Sequence, residues 1–271
     1  MNTEPSNTAK ARLAGDPGEP FVFADWEQVV FLHFKIAPEL LAPHVAQPFQ
    51  LELWEGDAWV SIVALTMRRF RPGRWTSIAA LAGGLGCQRF LNFRTYVSAN
   101  GESGAYFLHG WLSRPWGLPW PSGVRGFPYA FADAAYEARG GGVTGRVSAF
   151  GRNEAFAFAV KSEPRLPELV DGNDDRVPGA FLLERYAGYF VSAGQPRVFH
   201  AWHPPWLQVG AQAEILDRSL VTSRFPWFRH ATFAGAHYAP GFKDVWLGRL
   251  HRLDEPRPNP RRTLSAFFEI P

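Results

Sequence analysis

The sequence predicts a mainly β protein, an α+β variant in which a curved antiparallel sheet closes into a β-barrel with a few short helices. Three observations predict it. Apolar and alternating runs of strand length recur at short spacing, divided by Gly and Pro turns. The run Ala58 to Met67 is apolar on both faces (Trp59, Val63, Leu65, Met67 on one; Val60, Ile62, Ala64 on the other), as in a central strand covered on both sides. Asn100-Gly101, between Leu91–Val97 and Ala105–His109, is the strongest short hairpin signal.

The elements follow in order. Met1 to Pro20 is polar, rich in Pro, Gly and Asp, and lacks the apolar stretch of a secretory signal, so residues 1–20 read as a flexible tail. Val29 to Lys35 reads as a strand, and Pro38-Glu39-Leu40-Leu41 opens a short helix with Pro where a missing N–H is tolerated. Phe49 to Trp54 is a second strand, ended by a tight turn at Glu55-Gly56-Asp57. The prolines within 115–121 oppose a long helix there. Further strands are expected at 131–138, 143–150, 154–161, 180–191, 197–203 and 207–216. Ser219 to His230 reads as helical with an interruption at Pro226, and His237 to Gly241 as a loop. No internal repeat and no long linker occurs, so residues 21–271 read as one domain.

Composition narrows the function. Hydrophobic residues make up 46% and aromatics 15%, which suits a packed core rather than disorder. The single cysteine, Cys87, excludes an internal disulfide framework and fits a cytoplasmic setting. The longest apolar runs, such as Ile78 to Leu85, are too short for a helix that spans a bilayer, so no membrane association is expected. The net charge is +3 and the basic side is nearly all arginine; lysine occurs only at Lys10, Lys35, Lys161 and Lys243. Arg68, Arg69, Arg71 and Arg74 could meet phosphates, but no nucleic-acid-binding module surrounds them, and a solvated loop is the simpler reading.

Familiar motifs fail on context. Gly140, Gly142 and Gly145 have G-x-G-x-x-G spacing, but a strand-like run follows where a dinucleotide site needs a helix, so a glycine hairpin is expected. His200 and His203 would point to opposite faces of a strand, so no metal site is expected, and no cofactor is implied. No Gly-x-Ser-x-Gly elbow occurs, and nothing marks Cys87 as a nucleophile.

One constellation stands out. Asn92, Arg94 and Tyr96 share one strand face, opposite Phe93, Thr95 and Val97. An arginine facing the interior needs a partner. Glu184, read as sharing a strand face with Tyr186, would make a structural ion pair; an anionic ligand is the other choice.

Several segments carry a family resemblance. They are Phe31-Leu32-His33-Phe34 with Pro38-Glu39-Leu40-Leu41, Asp57-Ala58-Trp59-Val60-Ser61, Asn92 to Val97, Gly126-Phe127-Pro128-Tyr129 and Glu184-Arg185-Tyr186. His203-Pro204-Pro205-Trp206 and His237 to Phe242 complete the set. From about residue 24 to about residue 250, in order, they resemble the YqjF-like family of uncharacterised bacterial proteins. That family is similar to the acetoacetate decarboxylase-like superfamily, which implies a barrel of that type. In its decarboxylases the Gly-aromatic-Pro turn precedes two lysines, one forming a Schiff base and one lowering its pKa. Here those positions are Tyr129 and Ala130, and the superfamily's acidic residue falls at Phe90 or Leu91. An imine mechanism is therefore not expected.

The resulting expectation is an internal pocket for a small anionic or carbonyl-bearing molecule. Asn92, Arg94, Tyr96 and His203 would bind it, and Tyr129 would donate to a carbonyl or enolate oxygen. An acid/base enzyme of hydratase, dehydratase or tautomerase type would use Glu184 or His109 as base and Tyr129 as acid. A non-catalytic scaffold, with its 11 tryptophans in a core or a protein interface, is the third possibility. A homo-oligomer is compatible with each.

Overall fold

A computed structural model describes residues 4–16, 19–73, 87–113, 126–162, 168–169 and 178–255. In chain order the elements are α1 (Glu4–Gly15), β1 (Val22–Ile36), α2 (Pro38–Leu41), β2 (Gln50–Leu51), β3 (Leu53–Trp54), β4 (Asp57–Pro72), β5 (Gln88–Ala99) and β6 (Glu102–Leu112). There follow β7 (Tyr129–Arg139), β8 (Gly142–Ala149), β9 (Ala155–Ser162), β10 (Glu168–Leu169), α3 (Gly179–Leu183), β11 (Ala187–Ser192) and β12 (Gln195–Trp202). The last are β13 (Leu207–Asp217), α4 (Ser219–Arg224), β14 (Thr232–Leu247) and β15 (His251–Arg252), with 3-10 turns at Ala42–His44 and Pro226–His230.

The protein is thus mostly β. Long antiparallel ladders join β14 to β1, β1 to β4, β4 to β5 and β5 to β6. From β6 the pairing passes in parallel to β11, then antiparallel to β12, and from β12 back to β14. The last return is short, through Ala201↔Leu247 and Trp202↔Trp246. A second branch runs from β6 through β7, β8, β9 and β13 to β14.

The central strands carry apolar residues on both faces because both faces are covered. Trp59, Val63 and Leu65 of β4 pack inward with Val29 and Phe31 of β1 and Phe90 of β5. Val60, Ile62 and Ala64 pack the other way with Leu32, Phe34, Leu91 and Phe93, against Val221, Trp227 and Phe228 and the β7–β9 strands. The two-faced reading of β4 holds. So does the β5–β6 hairpin, where Asn100 (φ 51°) and Gly101 (φ 76°) take the left-handed conformations such a turn demands. Gly140 and Gly141 form the turn between β7 and β8, while Gly142 and Gly145 lie in β8, so the G-x-G-x-x-G segment is a hairpin.

Four expectations are corrected. Residues 4–15 are a helix, not a loose tail. Its buried Ala9 and Leu13 lie four residues apart on one face, Ser6 Oγ donates to the His203 carbonyl (2.9 Å), and Arg12 pairs with Glu102. The strand expected over 49–54 splits into β2 and β3 around Glu52, whose carboxylate accepts from Ser103 and from Arg185. The run 180–191 begins as α3 and becomes a strand only at Ala187; a short apolar run does not distinguish the two. His237 to Gly241 lies within β14, the partner of β1 along most of its length. The Ile78–Leu85 run and residues 115–121 fall outside the described residues. No helix among the described residues is long and apolar enough to cross a membrane.

Candidate functional site

The inward faces of β1, β4 and β5 form one wall of a cavity of about 100 Å³. The opposite wall comes from Ala105 and Phe107 of β6, Phe127 and Tyr129, the segment 185–188, and Phe199, Ala201, Trp206 and Leu247. Its lining is mostly apolar; the polar side chains are Asn92, Arg94, Tyr129, Arg185 and Tyr186, with the indoles of Trp26 and Trp206, and Trp26 Nε1 is buried with no hydrogen-bond partner.

Arg94 is the chemically decisive group. Its Nη2 donates to the Leu182 carbonyl (3.1 Å), and its buried Nε has no hydrogen-bond partner. Phe31 and Tyr96 lie beside the guanidinium, and no carboxylate among the described residues pairs with it. The neighbouring Arg185 is compensated: Nη1 meets Glu52 Oε2 at 2.7 Å and Nε donates to the Phe181 carbonyl. The Arg94–Glu184 ion pair is not formed. Glu184 sits just after α3 rather than on a strand, and accepts from the Tyr186 hydroxyl and the Trp206 N–H (2.8 Å). Burial raises its carboxyl pKa, against the lowering effect of those two hydrogen bonds.

Asn92 is 7% exposed, lines the cavity, and has no partner for its Oδ1. Tyr129 enters at the start of β7, with its ring parallel to Phe127 and lying over Gly110. Burial raises the phenol pKa, so the hydroxyl stays protonated as a donor. The close approach explains Gly110: a Cβ there would fall 2.1 Å from Tyr129 Cε1. Gly110→Ala is expected to displace the Tyr129 ring and destabilise the protein by about 1–3 kcal/mol, as overpacking does; a urea titration measures it.

The other expected site residues lie elsewhere. Tyr96 is fully buried past the cavity's end, its hydroxyl 2.5 Å from Ser61 Oγ. Ser61 Oγ also meets His33 Nδ1 (2.7 Å), and His33 Nε2 meets His237 Nδ1 (2.9 Å). This chain of four polar side chains crosses β5, β4, β1 and β14 and was not anticipated as a unit. His203 lies behind the wall among Trp26, Tyr186, Trp206 and Phe242, with Nδ1 facing the Pro204 carbonyl at 2.7 Å. Burial and then the Arg94 charge hold its pKa near about 4, although the Pro204 contact acts the other way. His109 faces the opposite side of the sheet with Phe93, Trp111 and Phe225, so it cannot act in the cavity. Burial, then Arg224, lowers its pKa to about 3.

His200 and His203 go to separate places, His200 toward Glu102 (3.3 Å). Among the described residues, no group of three or more His, Cys, Asp or Glu is placed to hold a metal. Arg68, Arg69 and Arg71 pair with Glu27 and Asp25, Arg71 with Asp244 as well. A larger cleft of about 540 Å³ lies between α1, the β5–β6 turn and β15, where Arg12 and His200 meet Glu102 and Glu19 accepts from the Arg249 N–H. The sequence reading missed Arg185, Tyr186, Trp206 and Phe127 as cavity lining. All four lie in the segments that carry the family resemblance, and that was the available signal.

This arrangement of strands has the acetoacetate decarboxylase-like fold. The enduracididine biosynthesis enzyme MppR, solved with the condensation product of pyruvate and imidazole 4-carboxaldehyde, superposes with TM-score 0.59 at 14% identity, over 86% of this chain and 89% of that one. Acetoacetate decarboxylase from Legionella pneumophila superposes with TM-score 0.57 at 14% identity, covering 86% of each chain. The chain belongs to the DUF2071 family of uncharacterized conserved proteins, matched over residues 24–243. It is similar to the uncharacterized protein YqjF of Bacillus subtilis, 28% identical over 195 residues, 70% of this chain and 76% of that protein.

Proposed function

We propose that the protein binds a small carboxylate- or carbonyl-bearing molecule in this cavity and does so without imine chemistry. The observation that carries the reading is Arg94, a cation in an apolar cavity with no carboxylate opposite it among the described residues. An anionic ligand would supply the missing partner. Asn92 and Tyr129 would then hold the ligand's second oxygen. In this reading the pairing circuit from β1 through β6, β11 and β12 to β14 is a small barrel around the cavity.

The lysines support the second half of the proposal. Lys10 lies over Trp202, Lys35 pairs with Asp57, and Lys161 and Lys243 are exposed. None of these amines lines the cavity. After borohydride treatment with pyruvate or acetoacetate, intact-mass measurement is expected to show no adduct; an adduct on Lys161 would overturn the proposal. A thermal-shift screen of small acids is expected to find stabilising carboxylates whose effect is lost in Arg94→Gln.

One observation favours a second reading. Tyr186 lines the cavity while its hydroxyl donates to the half-buried Glu184 carboxyl. An acid/base reaction would then route Glu184 through Tyr186, with Tyr129 as acid. It predicts solvent deuterium exchange into an enolisable keto acid, followed by NMR and lost in Tyr129→Phe. Absence of exchange across a panel of keto acids would leave the binding reading alone.

A further inference from the structure

The cavity walls restrict the ligand further than its cation does. On β5 and β4, Arg94 stands opposite Ser61, Asn92 opposite Val63 and Phe90 opposite Leu65. Along β5 and β4 the polar groups therefore stop at Asn92; the Trp26 indole N–H of β1, beside Met67, is the polar group of this wall beyond it. From there the lining continues through Val63, Leu65 and Phe90 to Met67 and Phe70. Phe90 to Arg94 is four residues of extended strand, about 13 Å from end to end. The cavity is thus polarised along the strands, with a guanidinium at one end and hydrocarbon and aromatic rings at the other. Arg185, the other cation in the lining, is already occupied by Glu52.

We infer that the ligand is a monocarboxylate with an apolar tail, an aliphatic or branched acid of about four to six carbons, rather than a short keto acid or a dicarboxylic acid. This rests on the reading of Arg94 as the carboxylate anchor. A second carboxylate would lie against Met67 and Phe70, where no cation lines the wall and the Trp26 indole N–H beside Met67 is a single neutral donor, so burying a full charge there is unfavourable. A two- or three-carbon acid reaches the anchor but leaves the apolar end without contacts. The volume sets the upper bound. An apolar cavity of about 150 Å³ admits benzene, so about 100 Å³ for carboxylate and tail together keeps the acid to about six carbons at most.

The test is a calorimetric titration of the purified protein with acetate, butyrate, hexanoate and octanoate, with pyruvate, succinate and 1-hexanol as comparators. Affinity is expected to rise up to about fourfold per added methylene from acetate toward hexanoate, then to stop rising or to fall at octanoate. Succinate, pyruvate and hexanol are expected to bind at least about tenfold more weakly than hexanoate. In Leu65→Phe, which fills the apolar end, the preferred acid is expected to shorten; its melting curve shows whether it folds, and the wild-type ladder stands without it. Pyruvate or acetate binding as tightly as hexanoate overturns the apolar-tail inference and leaves the Arg94 anchor standing. If no acid in the series binds, the anchor reading falls with it.

Discussion

Acidification from about pH 7 to about pH 4.5 is expected to lower the melting midpoint steeply, through histidines buried in the neutral form. His33, His109 and His203 are all buried, and burial is the largest cause lowering each pKa: well below the ordinary value for His33, to about 3 for His109 and about 4 for His203. In the unfolded chain each titrates near about 6.5. Below that value the unfolded state takes up protons that the folded state refuses, so the stabilisation present at neutral pH is lost as the pH falls. Two pH units at about 1.4 kcal/mol per unit give about 2–3 kcal/mol each for His109 and His203. For these two histidines together this reaches the lower end of a typical domain's stability, roughly 5–15 kcal/mol, and His33 acts in the same direction. Glu102, held to about 2 mainly by His200 and Arg12 against the opposing effect of burial, adds its loss in a lower window, below the ordinary carboxylate range. Glu184, with a raised pKa, acts in the opposite sense. Melts followed by circular dichroism across this range measure the effect. A midpoint that stays flat between about pH 6.5 and about 4.5 contradicts neutral burial of these rings.

Ser61→Ala is expected to destabilise the fold by about 2–6 kcal/mol, although it removes a single oxygen. Ser61 is fully buried and its Oγ ties the Tyr96 hydroxyl to His33 Nδ1. Deleting it leaves two buried polar groups unsatisfied, and each such group costs about 1–3 kcal/mol. Tyr96→Phe removes one partner and is expected to cost less, because Ser61 can still meet His33. The double variant Ser61→Ala/Tyr96→Phe should be less destabilised than the sum of the two, since it leaves only His33 short of a partner. Urea unfolding of the four proteins in the cycle measures this. Strict additivity, or a Ser61→Ala variant within about 0.5 kcal/mol of wild type, contradicts the chain of hydrogen bonds.

Much of the scaffold was legible because the relevant signals are local. The alternation in β4 and the Asn100-Gly101 turn are written in consecutive residues. Asn92 and Arg94 line the cavity together because the β4–β5 ladder is regular between them. His109 was misplaced for the converse reason. Ala105 and Phe107 face the cavity, and unbroken alternation would put His109 beside them. A register shift pairs Phe93 with His109 but Arg94 with Phe107, and the extra residue, Leu108, turns His109 to the other face. The docking of α1 was hidden because its contacts lie far away in sequence, as with Ser6 and His203. Glu184 was placed on a strand because a short apolar run preceding it fits a helix equally well.

The central claim is that Arg94 is the anion anchor of the cavity. Its most direct test is titration calorimetry of wild type and Arg94→Gln with the same short monocarboxylate, after melting curves show both folded. Loss of a charge-assisted hydrogen bond is expected to weaken binding by about 10- to 100-fold in the variant. Equal affinity in the two proteins would contradict the assignment.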